Sequence, residues 1–174
     1  MNNLQNTKPA IDAIDVRLLR ALAADGRSSV AELARSVRLS APSTAERIKR
    51  LEDAGVITGF AARIDPGRLG RPLAALIRIR PMPGQLKKVA QVIEGIAAIT
   101  QCDRVTGEDC FIARAHLRSV EELEAVIDKI IPYAMTNTSI IQSSPIAPRL
   151  PPLPEGFLPP LRGKVRMGGT DKER

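Results

Sequence analysis

The chain has 174 residues, with 26 Lys+Arg against 19 Asp+Glu, one His, two Cys, no Trp and 44% apolar side chains. That length suits two small domains rather than a large enzyme, and 26% charged residues with near-balanced hydropathy exclude wholesale disorder. Its longest apolar runs, such as residues 73–77, are too short to cross a bilayer and its polar start has no signal-peptide core, so a cytoplasmic protein without a membrane partner is expected, and the net charge of +7 suggests a polyanionic one.

Ile11, Ile14, Leu18 and Leu22 recur at helical spacing, with Asp12 placed to cap the helix and Gly26 just past its end. A second, two-turn helix starts after Ser29, whose hydroxyl and the Glu32 carboxylate form a capping box ahead of Leu33, Ala34 and Val37. Arg38, Leu39 and Ser40 make a tight connection to a third helix over 41–54, capped by Ser40, stiffened by Pro42 and stopped by Gly55. Ala45, Ile48 and Leu51 form the stripe expected to pack on the two preceding helices. Ser43, Arg47 and Arg50, at i, i+4 and i+7, form the outward one.

Helix, tight turn and basic helix is a helix-turn-helix pattern. An α-helix fits the DNA major groove, where arginine can fork onto guanine O6 and N7 or hold a phosphate. Ser40, Ser43, Thr44, Arg47 and Arg50 are therefore the expected DNA-contacting residues, with Arg38 and Arg63 as flanking basic positions. Residues 56–64 alternate like a strand pair or wing.

The charge distribution points the same way. Arg35, Arg38, Arg47, Lys49 and Arg50 against Glu46 give +4 within sixteen residues, and Arg63, Arg68, Arg71, Arg78 and Arg80 against Asp65 give another +4. Residues 81–150 carry seven basic and eight acidic side chains, a balance with no need for a polyanion.

The second domain alternates elements in a βαββαβ order: strands over 73–80, 99–106, 110–117 and 135–142, a helix marked by Leu86, Val89, Ala90 and Ile93, and another after a Ser119–Glu122 capping box. This is the ferredoxin-like arrangement, in which helices cover one sheet face. Uncovered apolar side chains on the other face would need a second copy of the chain, so a homodimer is expected, its two reading helices about 34 Å apart on a palindromic site. The expected α+β organisation is thus a winged helix-turn-helix domain over 11–72, a ferredoxin-like domain over 73–150, and a Pro- and Gly-rich disordered tail over 151–174.

The segment from Ile11 to Gly70 closely resembles the N-terminal half of leucine-responsive/asparagine-regulator (Lrp/AsnC) transcription factors, on Asp15 to Leu22, Asp25-Gly26-Arg27, Glu32-Leu33-Ala34, Leu39-Ser40, Arg47-Ile48, Arg50-Leu51-Glu52 and Gly55-Val56-Ile57. The resemblance extends over 11–150 and implies a sequence-specific DNA-binding regulator of transcription, not an enzyme, whose second domain senses an amino acid and assembles dimers, and rings of dimers such as a tetramer or octamer. It implies an effector site at the turn Thr106, Gly107, Glu108 and Asp109 and on the last strand at Thr136, Thr138 and Ser139. The alternative for these residues is a plain hairpin turn and cross-strand threonines. Cys110 stands where many relatives carry Asp, so a different ligand would fit.

Competing readings are an enzyme resembling siroheme decarboxylases on the same two-domain plan, and a DNA-packaging protein without effector. The only histidine, His116, has no catalytic company in the sequence, and the two cysteines cannot complete a zinc site. No catalytic residue, metal or cofactor beyond the amino acid is expected.

Overall fold

A computed structural model describes residues 11–153. These residues fall into two compact units that divide between Ala61 and Ala62, with the described residues from Pro148 onward grouped with the first.

The first unit holds α1 (Ala13–Ala24), α2 (Val30–Val37) and α3 (Ala41–Asp53). Asp12 caps α1 by accepting from the Ile14 and Asp15 N–H groups, and the Asp15 carboxylate accepts in return from the Asp12 N–H at 3.0 Å, a second capping box beside the expected one at Ser29 and Glu32. Leu18, Leu33 and Val37 form the core, with Ile14, Leu22, Leu39 and Ile48 packed around it. The α2–α3 turn is closed by Arg38 at φ 59°, a left-handed position usually given to glycine. Ala45 is exposed, contrary to the expected stripe, because Thr44, Ile48 and Leu51 share the packed face at i, i+4 and i+7. Residues 56–64, expected as a strand pair or wing, form no strand.

The second unit is a four-stranded antiparallel sheet in the order β2-β3-β1-β4, built from β1 (Leu73–Pro81), β2 (Ile99–Arg104), β3 (Phe111–Leu117) and β4 (Ala134–Ile140). Helices α4 (Leu86–Glu94) and α5 (Val120–Ile130) supply Val89, Ile93, Leu123, Val126 and Ile130 to a core shared with Ala75, Ile77, Ile79, Phe111, Ala113, Ala115 and Leu117. This is the βαββαβ order read from the sequence. The other sheet face is less apolar than expected. Alternation sends most of the strands' apolar residues to the helices, leaving Leu76 and Ile112 half-buried among Arg78, Arg80, Arg114, His116 and Asn137.

Residues 62–72, expected with the DNA-binding domain, group with the sheet unit. Arg71 holds that segment, donating to the His116 carbonyl and to the Glu122 carboxylate, both at 3.0 Å. Glu122 sits at the start of α5 and departs from the expected capping box. Its carboxylate accepts from the Arg118 N–H at 2.7 Å, while the Ser119 hydroxyl accepts from the Glu122 N–H. Residues 151–153 line a groove with Arg20, Arg149 and Leu150; the rest of the expected tail, 154–174, lies outside the described residues.

The Arg118 N–H, aided by the Arg71 and Arg118 guanidinium groups, outweighs burial and holds Glu122 at about 2 against an ordinary 4.5. A lowered folded-state value stabilises the fold above the ordinary value and loses that contribution as pH falls toward the folded one. Thermal unfolding of the wild type and Glu122→Gln should therefore differ most above pH 4.5 and converge as pH approaches 2. A gap that is constant with pH would remove the ionic role given to Glu122.

Candidate functional site

The N-terminus of α1 and the flank of α3 meet through four charged side chains. The Arg47 guanidinium donates to Asp12 Oδ2 at 2.6 Å and to Asp15 Oδ1 at 2.9 Å, and Arg50 donates to Asp15 Oδ2 at 2.6 Å. Asp15 is fully buried, whereas the Arg47 and Arg50 side chains remain 25% and 54% exposed. Burial alone would raise the Asp12 carboxyl, but the Asp15 N–H, the Arg47 guanidinium and the Ile14 N–H hold it below its usual range. The Asp12 and Asp15 carboxylates in turn raise Arg47 above its own ordinary value. Both carboxylates also complement the positive end of the α1 dipole.

The two arginines are thus committed at one end to α1, which corrects their reading as free outward forks. Arg47 lies three residues after buried Thr44 and four before buried Leu51, at the border of the packed face. Guanidinium carries five N–H donors, and Arg47 and Arg50 each engage the carboxylates through one terminal nitrogen, which leaves donors for a second partner.

Thr44 is removed from the set by its burial: its side chain is 0% exposed and its hydroxyl donates to the Ser40 carbonyl at 2.9 Å. Ser40 and Ser43 are exposed at the start of α3, where Ser40 Oγ accepts from the Ser43 N–H and donates to Ser43 Oγ at 2.8 Å. Arg38 is exposed in the turn. Arg63 falls in the second compact unit rather than the one that holds α3. So do Arg68, Arg71, Arg78 and Arg80, the rest of the second basic cluster. The outward side of α3 is an open cleft of about 560 Å³ lined by Ser43, Glu46, Arg47, Lys49, Arg50 and Asp53. Glu46 and Lys49 enter the charge count but not the expected contact set, although their i, i+3 spacing on the side opposite Thr44 and Leu51 places them on this face.

In the sheet unit, the turn between β2 and β3 carries Gly107 at φ 108°, so the left-handed region sets its shape. Thr106 and Glu108 are exposed and Asp109 is half-buried. Glu108 forms an ion pair with Arg80. Strand parity divides the β4 candidates. Thr136 and Thr138 lie opposite Ile79 and Ile77 on the helix side, whereas Ser139 lies opposite Leu76 on the uncovered side. Arg78, Arg80, Asp109, Met135, Thr136 and Asn137 border a groove of about 280 Å³, and Arg78 donates to the side-chain amide oxygen Oδ1 of Asn137 at 3.0 Å. Thr138 and Ser139 do not line it. Arg78 and Arg80 are the residues the sequence reading missed here, because it counted them as part of the DNA-binding charge. Their two-residue spacing places them on one strand face.

His116 projects from β3 and Cys102 and Cys110 are free thiols. Among the described residues no group of three His, Cys, Asp or Glu side chains could hold a metal ion, and no helix is long and apolar enough to cross a membrane.

Comparison with known proteins matches residues 11–58 to a winged helix-turn-helix DNA-binding model and residues 74–150 to the Lrp/AsnC ligand binding domain. The chain is 32% identical over 133 residues to the HTH-type transcriptional regulator LrpC of Bacillus subtilis, covering 76% of this chain and 92% of that protein. It is 36% identical over 130 residues to the HTH-type transcriptional regulator LrpA of Mycobacterium tuberculosis, covering 74% and 87%. A feast or famine regulatory protein of M. tuberculosis, solved in complex with L-methionine, superposes with a TM-score of 0.75 at 34% identity, over 81% of this chain and 98% of that one.

Removing one partner of a buried ionic network leaves the other uncompensated. Arg47→Ala, which strips the buried Asp15 carboxylate of a partner, should destabilise the first unit by about 3 kcal/mol in chemical denaturation, against about 1 kcal/mol for the cap lost in Asp12→Ala. Equal, small losses would show that burial of Asp15 does not set the strength of the network.

Proposed function

The chain belongs to the Lrp/AsnC family of helix-turn-helix transcriptional regulators, a non-enzymatic family, and we propose that α3 reads double-stranded operator DNA while an amino acid bound to the sheet unit shifts the chain's assembly. The observation that carries the first half is the bracing of α3 by Asp15: two guanidinium groups fix the helix against α1 and still hold unused donors on its exposed flank. Ser40 and Ser43 at its N-terminus, with Lys49 and Arg50 further along, reach phosphate or base edges in a major groove. Arg47 acts chiefly as a positioning residue, through its bonds to Asp12 and Asp15.

For the effector, the groove beside β1 and β4 offers charge-matched groups at both ends of a zwitterion. Arg78 and Arg80 suit a carboxylate, Asp109 suits an ammonium, and Met135 supplies apolar contact. Thr106, Gly107 and Glu108 form the adjoining turn and position Arg80 through the Glu108 ion pair. The methionine complex of the M. tuberculosis relative supports an amino acid as the ligand class. A homodimer formed on the uncovered sheet face, centred on Leu76 and Ile112, would give the effector an assembly to bias. Such a regulator acts in the cytoplasm.

Fluorescence anisotropy with a labelled duplex should show affinity falling steeply with salt, and Arg50→Ala or Lys49→Ala should each reduce the log–log slope by about one. A flat salt dependence would overturn the DNA-binding reading. Calorimetry with the twenty common amino acids should yield one stoichiometric binder, weakened about tenfold or more by Arg78→Ala or Asp109→Ala and unaffected by Thr138→Ala. If none binds, a DNA-packaging role without effector replaces the sensing half of the proposal.

A further inference from the structure

Glu46 is a carboxylate on the outermost side of a helix that the DNA-binding reading turns toward a polyanion. On that side, opposite Thr44 and Leu51, stand Pro42, Glu46, Lys49 and Asp53. Glu46 is exposed and makes no ion pair or side-chain hydrogen bond among the described residues. The arginine one turn along, Arg50, which could neutralise it at i, i+4, is instead drawn to Asp15 at 2.6 Å. The network that braces α3 therefore leaves a free negative charge in the middle of its exposed face.

A carboxylate facing phosphate would be repelled, so this position is compatible with tight binding only where the helix faces the groove floor. There the chemistry is selective. A carboxylate has only acceptors, and the major-groove edge of cytosine offers the N4 amino donor. Guanine presents acceptors at O6 and N7 and thymine presents O4, so both repel it, and at adenine the N7 acceptor stands beside the N6 donor. We infer that Glu46 is a specificity-determining residue that accepts a hydrogen bond from cytosine N4 and fixes a C·G pair at one position of the operator. This inference rests on the reading of α3 as the DNA-contacting helix.

The test is selection of bound sequences from a randomised double-stranded DNA pool by the full chain and by its Glu46→Gln and Glu46→Ala variants, each checked for wild-type circular dichroism. The wild type should enrich a motif with cytosine at one defined position, favoured about 5- to 100-fold over the other bases. Glu46→Gln should move that position toward adenine, which Gln can bond at N6 and N7. Glu46→Ala should lose the preference there while keeping the rest of the motif, and should bind random DNA more tightly because a repelling charge is gone. An enriched motif with the same preference at every position in both variants overturns the role of Glu46 and leaves DNA reading by α3 standing. A wild-type chain that enriches no motif overturns that reading and this inference with it.

Discussion

The Asp15 carboxylate is the constraint on which the first unit depends. It is wholly buried, and its two oxygens are occupied by Arg47 on one side and by Arg50 and the Asp12 N–H on the other. A buried charge in this position is tolerated only when its lone pairs are satisfied, and here each oxygen has a guanidinium partner. It joins the first turn of α1 to the middle of α3 and does so without using the whole of either guanidinium. Orientation of α3 and exposure of its outer side come from the same four side chains.

Strand alternation does comparable work in the second unit. Strands β1 and β3 send most of their small and branched apolar residues to the helices, and the register of β1 with β3 and β4 gathers Arg78, Arg80, Arg114 and Asn137 on the other side. A surface of that composition is not a simple hydrophobic patch. It has an apolar centre at Leu76 and Ile112 and a charged surround, which is the pattern of an interface with a polar rim. The groove at Asp109, Arg78 and Arg80 lies within this charged border, so a bound zwitterion and a change in assembly would draw on neighbouring side chains.

The division of basic residues has a consequence for how charge is used along the chain. The sequence places two basic clusters before Pro81, yet in the second Arg71 is spent on Glu122 and the His116 carbonyl, Arg80 on Glu108, and Arg78 on Asn137. The outer side of α3 holds Arg47, Lys49 and Arg50 together with Glu46 and Asp53. Such a mixed face favours selective contact over general adhesion to a polyanion.

Local chemistry alone determined most of the fold. The Asp12, Ser29 and Ser40 caps, the Gly55 stop and the βαββαβ order are set by hydrogen bonding and periodicity within a few residues, and these were legible in the sequence. The family resemblance was equally legible. Tertiary structure decided which side of each element faces what. It buried Thr44, exposed Ala45, tied Arg47 and Arg50 to carboxylates more than thirty residues away, and turned Thr136 and Thr138 to the helix side of the sheet. Spacing along one helix or strand says which residues share a side, but only packing against the other elements says whether that side meets the core, an opposite charge or the solvent.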